Sequence, residues 1–140
     1  MKNLSIYIHY PFCKSKCPYC DFNSHVRESV DGDAWLKGYL KELEYFKNLT
    51  GERRVQSIFF GGGTPSLMDP KTTNVIINYI SKNWKLDSNA EVTLEANPTS
   101  VEYQKFKDFR AAGVNRVSIG VQSFDSGELK FLGREHSVDE

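Results

Sequence analysis

Four times along this chain a short apolar run gives way to a helical pattern, and no hairpin signal joins one apolar run to the next. In the first run, Leu4 to Tyr10, apolar Leu4, Ile6 and Ile8 alternate with Ser5, Tyr7 and His9 before Pro11, the pattern of a strand entering a loop. A helix follows with Asp33 as its N-cap, Leu36, Tyr39, Leu40, Leu43 and Phe46 on its apolar face and Gly51 as its stop. The second pair is a buried strand at Val55 to Phe60 and a helix with Asp69 as N-cap, Pro70 at its first position and Val75, Ile76, Tyr79 and Ile80 facing inward. The third is a strand at Ala90 to Ala96 and a helix opened by a Thr99 to Glu102 capping box and closed at Gly113. The fourth is a strand at Arg116 to Gln122 and a short helix from about Asp125 to Leu132.

Strand then helix, repeated without hairpins, predicts right-handed crossovers and a parallel sheet covered by helices, an α/β fold amounting to a partial (βα) barrel of four units. In such folds the working surface lies at the carboxyl ends of the strands. The residues least suited to ordinary packing fall in those loops: three cysteines after the first strand, "GGGTPS" after the second, "EANP" ending the third and "QSFDSG" after the fourth. They are expected to converge on one site.

Eighteen basic and eighteen acidic residues give zero formal net charge with no Lys/Arg block, which argues against nucleic acid as a partner. No apolar run is long enough for a membrane span and no export signal opens the chain. An odd number of cysteines without such a signal belongs in a reducing compartment, and a cytoplasmic location is expected.

Cys13, Cys17 and Cys20 lie within eight residues, and the chain has no other cysteine. "CPYC" alone matches a dithiol active site of the glutaredoxin kind, but it leaves Cys13 unused and no helical periodicity leaves Cys20. Zinc would need His9 or His25 to complete a lopsided set, and three thiols between Lys14, Ser15, Lys16 and Pro18 are poor candidates for buried small hydrophobes. A cubane iron–sulfur cluster suits the arrangement better, because three thiolates along one short loop can take three corners and leave the fourth iron open to a small molecule.

Cys-x3-Cys-x2-Cys directly after a first strand, with Tyr19 before the last cysteine, resembles the radical S-adenosylmethionine superfamily. The resemblance implies a [4Fe–4S] cluster on Cys13, Cys17 and Cys20, with the open iron chelating S-adenosylmethionine, whose reductive cleavage yields a 5′-deoxyadenosyl radical. Within the superfamily, "YIHYPFCKSKCPYCDFNSH", "FFGGGTPS", "LEANP", "GVNRVSIGVQSF" and "LGREHS" are similar to the oxygen-independent coproporphyrinogen III oxidases and their paralogues, the heme chaperones. By motif, Tyr7, Tyr19, Gly62, Gly63, Thr64, Glu95, Gln122 and Arg134 inherit contacts to S-adenosylmethionine. Three consecutive glycines, Gly61 to Gly63, are unsuited to a strand or helix and are expected to let backbone approach a ligand. Glu95 at a strand end can accept from a ribose or ammonium group. A lone arginine such as Arg134 is more often solvated.

The oxidases carry a further cysteine two residues after the third, where this chain has Phe22. That departure favours a chaperone delivering heme to an acceptor protein over the decarboxylation of coproporphyrinogen. The family's His-Asn-x-x-Tyr-Trp stretch is absent from these residues. Ser137 and Glu140 form a capping box with no helix body after them, so residues 1–140 are expected to be the N-terminal part of a radical S-adenosylmethionine core, the barrel incomplete and the heme-binding C-terminal domain absent.

Overall fold

The computed structural model describes residues 1–140, apart from the side chains of 100–103. In chain order the elements are β1 (Asn3–Tyr10), β2 (Phe12–Cys13), β3 (His25–Val26), α1 (Gly32–Thr50), β4 (Arg54–Gly62), a 3-10 turn (Pro65–Leu67), α2 (Pro70–Asn83), β5 (Lys85–Ala96), α3 (Ser100–Ala111), β6 (Arg116–Ile119) and α4 (Ser126–Phe131). Strands β1, β4, β5 and β6 form one sheet in that order, every pair parallel, so the four strand-helix units stand as expected. Phe12 and Cys13 pair with His25 and Val26 in a separate two-residue ladder, which closes the base of the cysteine loop.

The core lies between the sheet and its helices. Ile8, Val55, Ile58, Phe60, Val92 and Leu94 from the strands meet Leu43, Ile76, Ile77, Ile80 and Phe109 from the helices. On α2 the buried positions are Thr73, Ile76, Ile77 and Ile80, while Val75 is 39% exposed. The inward stripe therefore follows an i, i+3, i+4, i+7 pattern starting at Thr73, two residues before Val75. Helix α1 is capped by Asp31, whose carboxylate accepts from the Ala34 amide at 3.0 Å, and Asp33 lies in the first turn. Asp31 satisfies the amide three residues on, as an N-cap must, and Gly32 is already helical. Phe46 is half exposed rather than buried. It borders a groove of about 1100 Å³ between the outer edge of β1 and α1, also lined by Ile6, Trp35 and Tyr39. The capping box read at Thr99 and Glu102 falls partly on side chains outside the described residues. Asp69 caps α2 by accepting from the Lys71 amide at 2.8 Å.

The glycines depart most from the sequence reading. Gly61 and Gly62 belong to β4, in register with His9 and Tyr10. The ladder then runs past the strands, with the Gly63 amide donating to the Tyr10 carbonyl at 2.7 Å and the Thr64 amide to the Phe12 carbonyl at 2.8 Å. A Cβ at Gly63 would lie 2.5 Å from the Phe12 carbonyl oxygen, and one at Gly62, where φ is +115°, 2.7 Å from the His9 ring. It is therefore the close approach of the chain's own backbone that excludes side chains here.

Two measurements probe this framework. Gly63→Ala should cost about 2 kcal/mol or more by overpacking against backbone that cannot yield, read as a lower denaturant midpoint. The Tyr39 hydroxyl donates to the His9 carbonyl at 2.8 Å, and burial first, then the neighbouring Tyr10 and Glu42, push its phenol above the ordinary 10.0. An unfolded phenol loses its proton near pH ~10 while the folded one keeps it, so this contribution is intact below that pH and fades as pH rises above it. Stability measured from about pH 9 to 11 should fall less steeply in Tyr39→Phe than in the parent.

Candidate functional site

The carboxyl ends of β1, β4, β5 and β6 carry the site. Glu95, on β5, accepts from the Gly62 amide at 3.2 Å, so one carboxylate bridges the third strand to the glycine segment of the second. Asn97, just beyond β5, donates to the Thr64 hydroxyl at 3.4 Å and accepts from Arg134 Nη2 at 3.0 Å. The same Nη2 donates to the Gly120 carbonyl at 2.6 Å. Arg134 Nη1 reaches Cys17 Sγ at 3.3 Å and the Tyr19 hydroxyl at 3.4 Å. One guanidinium thus joins the cysteine loop, the end of β5 and the exit from β6, which only its planar fork allows. Arg134, expected among the S-adenosylmethionine contacts, is not the solvated side chain that a lone arginine more often is: it is partly buried, and its Nε is buried without a protein partner.

A second hydrogen-bonded chain begins at Tyr7. His9 Nε2 lies 2.9 Å from the Asn23 carbonyl, and Nδ1 lies 3.0 Å from the Tyr7 hydroxyl. A carbonyl can only accept, so Nε2 carries the hydrogen, and in the neutral ring Tyr7 donates to Nδ1. His9 therefore fastens the far end of the cysteine loop to β1 and orients Tyr7, whose ring remains 57% exposed. Partial burial raises the Tyr7 phenol pKa, and the nearby Glu95 charge adds to it. Tyr19 is raised by burial first and then by its hydrogen bond with Cys17, with Arg134 opposing.

All three cysteines are free thiols, Cys13 buried and Cys17 and Cys20 partly so. Cys13 ends β2 and is fixed by the ladder to Val26; the Cys20 amide donates to the Cys17 carbonyl at 3.0 Å in a turn. No helix starts at either cysteine of "CPYC", which removes the helix-terminus activation a dithiol site uses. Among the described residues no three His, Cys, Asp or Glu side chains converge on a point suited to one metal ion, and both ring nitrogens of His9 are already engaged. A cluster makes a different demand. Each thiolate binds its own iron, so three thiols spread along one loop are the fitting donor set.

Of the residues drawn from the sequence, Thr64, Arg134, Tyr19 and Cys17 are joined through Asn97 in one network, and Gly62 and Glu95 pair beside it. Gln122 is exposed, with φ at +69°. Phe22 is 58% exposed on the cysteine loop. Sequence reasoning gave no role to Asn97 or His136 and weighed His9 only as a ligand that zinc would need. The signals were "NP" at the strand end and the His in "REHS", each too short to weigh before its neighbours were known.

The sequence matches the Radical SAM superfamily over residues 7–140. It is 46% identical over 138 residues to the heme chaperone HemW of Escherichia coli strain K12, covering 98% of this chain and 36% of that protein. It is also 46% identical over 134 residues to the mitochondrial radical S-adenosyl methionine domain-containing protein 1 of Danio rerio, covering 96% of this chain and 30% of that one. Among solved structures, coproporphyrinogen III oxidase (HemN) from Escherichia coli superposes with a TM-score of 0.86 at 29% identity, over 97% of this chain and 32% of that one. The chain spans about a third of the length of these relatives. Among the described residues no helix is long and apolar enough to cross a membrane.

Arg134→Lys keeps the charge and loses the fork, leaving acceptors at Asn97 and Gly120 without their shared donor. It should destabilise the chain by about 2 kcal/mol in denaturant unfolding.

Proposed function

This chain belongs to the radical S-adenosylmethionine superfamily, and from that premise we propose that Cys13, Cys17 and Cys20 hold a [4Fe–4S] cluster beside a site for S-adenosylmethionine, in a protein that acts as a heme chaperone. The observation that carries the site is the Arg134 guanidinium joining Cys17 and Tyr19 to Asn97 and Gly120, because it ties the thiol loop to the strand ends where a ligand would rest. When bound, the cluster supplies the electron for reductive cleavage of the sulfonium. The chain's own residues then position and screen. Gly62, Gly63 and Thr64 present backbone and hydroxyl groups, Glu95 holds the Gly62 amide while offering its other oxygen, and Tyr7, Tyr19, Gln122 and Arg134 border the cofactor.

Heme delivery is supported by two observations. Phe22 stands where the oxidases carry a further cysteine, exposed on its loop with no packing demand to explain it, and HemW, a heme chaperone, is similar over nearly the whole chain. We propose further that residues 1–140 correspond to the N-terminal part of a longer radical S-adenosylmethionine core, with heme or porphyrin and an acceptor protein engaged by the whole protein, in the cytoplasm. The second reading, an oxygen-independent coproporphyrinogen III oxidase, rests on the likeness to HemN.

Anaerobic reconstitution with iron and sulfide should give a chain carrying about four irons with the charge-transfer absorbance of a cluster, and the triple Cys13, Cys17 and Cys20→Ser variant should carry none. Iron and absorbance that survive the triple replacement would remove the cluster. Conversion of coproporphyrinogen III to protoporphyrinogen IX by the full chain would replace the chaperone reading with the oxidase.

A further inference from the structure

We propose that His136 is a positioning residue for the S-adenosylmethionine site, holding the backbone of Val121 so that Gln122 keeps a strained turn which sets its side chain beside Arg134. The inference rests on the reading above, in which Gln122 borders the cofactor.

The exit from β6 is built from two tight turns. The strand ends at Ile119, the Gly120 amide still donates to the Ala96 carbonyl at 3.0 Å, and then Val121 N–H bonds Ile119 O at 3.1 Å and Ser123 N–H bonds Val121 O at 2.9 Å. The second turn closes around Gln122, which alone among the described non-glycine residues has a positive φ, +69°. A bond from residue i+2 back to residue i around such a φ is the rare, strained form of γ-turn, and a side chain there persists only when its surroundings over-determine it. This is why the strand expected to run to Gln122 stops short.

The surroundings are specific. His136 is 7% exposed, and its Nε2 lies 3.1 Å from the Val121 carbonyl; since that oxygen only accepts, Nε2 carries the hydrogen. Two residues earlier, Arg134 donates to the Gly120 carbonyl at 2.6 Å. Alternate residues of one segment therefore grip consecutive carbonyls of the turn. On the other side Ser123 is anchored to α4 through Glu128 and the Asp125 amide. Held at both ends, Gln122 places its amide nitrogen 3.2 Å from where a Cβ on Gly120 would stand, and Arg134 Nη2 lies 3.7 Å from the same point. Two groups assigned to the cofactor are brought together by a residue that itself faces backbone.

The test uses the full chain, reconstituted anaerobically, with S-adenosylmethionine binding measured by equilibrium dialysis and iron content and denaturant midpoint read on the same samples. His136→Phe keeps a ring and loses the donor, and should weaken binding about tenfold with iron per chain unchanged. His136→Gln, whose amide N–H reaches as Nε2 does, should bind within about twofold of the parent. On a Gln122→Ala background His136→Phe should cost no further affinity, because its effect passes through Gln122. Should His136→Phe not unfold cooperatively, His136→Asn, too short to reach Val121, takes its place with the same expected loss. Parent-like binding by the donor-less variant, a Gln variant as weak as it, or an undiminished loss on the Gln122→Ala background would overturn the inference. A parent chain that holds iron and binds no S-adenosylmethionine would overturn the underlying reading and this inference with it.

Discussion

The rest of this architecture depends on the approach of two backbones at the top of the sheet. Strands β1 and β4 pair in parallel, and their hydrogen bonding continues beyond Tyr10 and Gly62 until the Thr64 amide meets the Phe12 carbonyl. Side chains on the β4 side would keep the two apart, since a Cβ at Gly63 would stand 2.5 Å from that carbonyl oxygen. With glycine there, Phe12 packs among the core aromatics, its ring centroid 5.4 Å from Tyr10 and 5.0 Å from Trp35, and Cys13 follows it into a buried position. One end of an otherwise exposed loop is thereby anchored to the most rigid part of the molecule.

Two polar fastenings complete that anchorage, and they work differently. His9 secures the return of the loop through the Asn23 carbonyl, a local tie within the first unit. Arg134 works over long sequence separation, joining residues 117 positions apart through Cys17 and reaching the ends of β5 and β6 as well. A cation bonded to neutral acceptors and a thiol in a half-buried site gains more from each contact than it would in water, and its loss leaves several acceptors unpaired. The fourth unit is thus tied chemically to the first, although the strands that carry them stand at opposite edges of the sheet.

Much of this was legible in the residues. The alternation at Leu4 to Tyr10 and the Asp69-Pro70 start of α2 are local signals, each read from neighbours within a few positions, and both stand. The cysteine spacing was equally local, and it pointed to the family that the Radical SAM match bears out over residues 7–140. The failures were of another kind. Gly61 and Gly62 were read as unfit for a strand because propensity counts only the residue itself, whereas their pairing with His9 and Tyr10 reflects what lies across the sheet. Asp33 and Asp31 are both competent caps two residues apart, and only the helix start at Gly32 chooses between them. Val75 and Phe46 fit an apolar stripe in the sequence and emerge half exposed, because the stripe's direction is set by the neighbour it packs on.

By itself, the sequence determined the order of the four main strands and their helices, the clustering of three thiols after the first strand and the placing of every unusual residue at a strand's carboxyl end, since periodicity, caps and spacing are properties of contiguous residues. Only the tertiary structure decided which of those residues meet. That Arg134 meets Cys17 and Asn97, that the glycines yield to backbone of their own chain, and that His136 stands over the carbonyl before Gln122 are matters of proximity between distant segments. Proximity is set by how the sheet twists and packs, and no single stretch of residues encodes it.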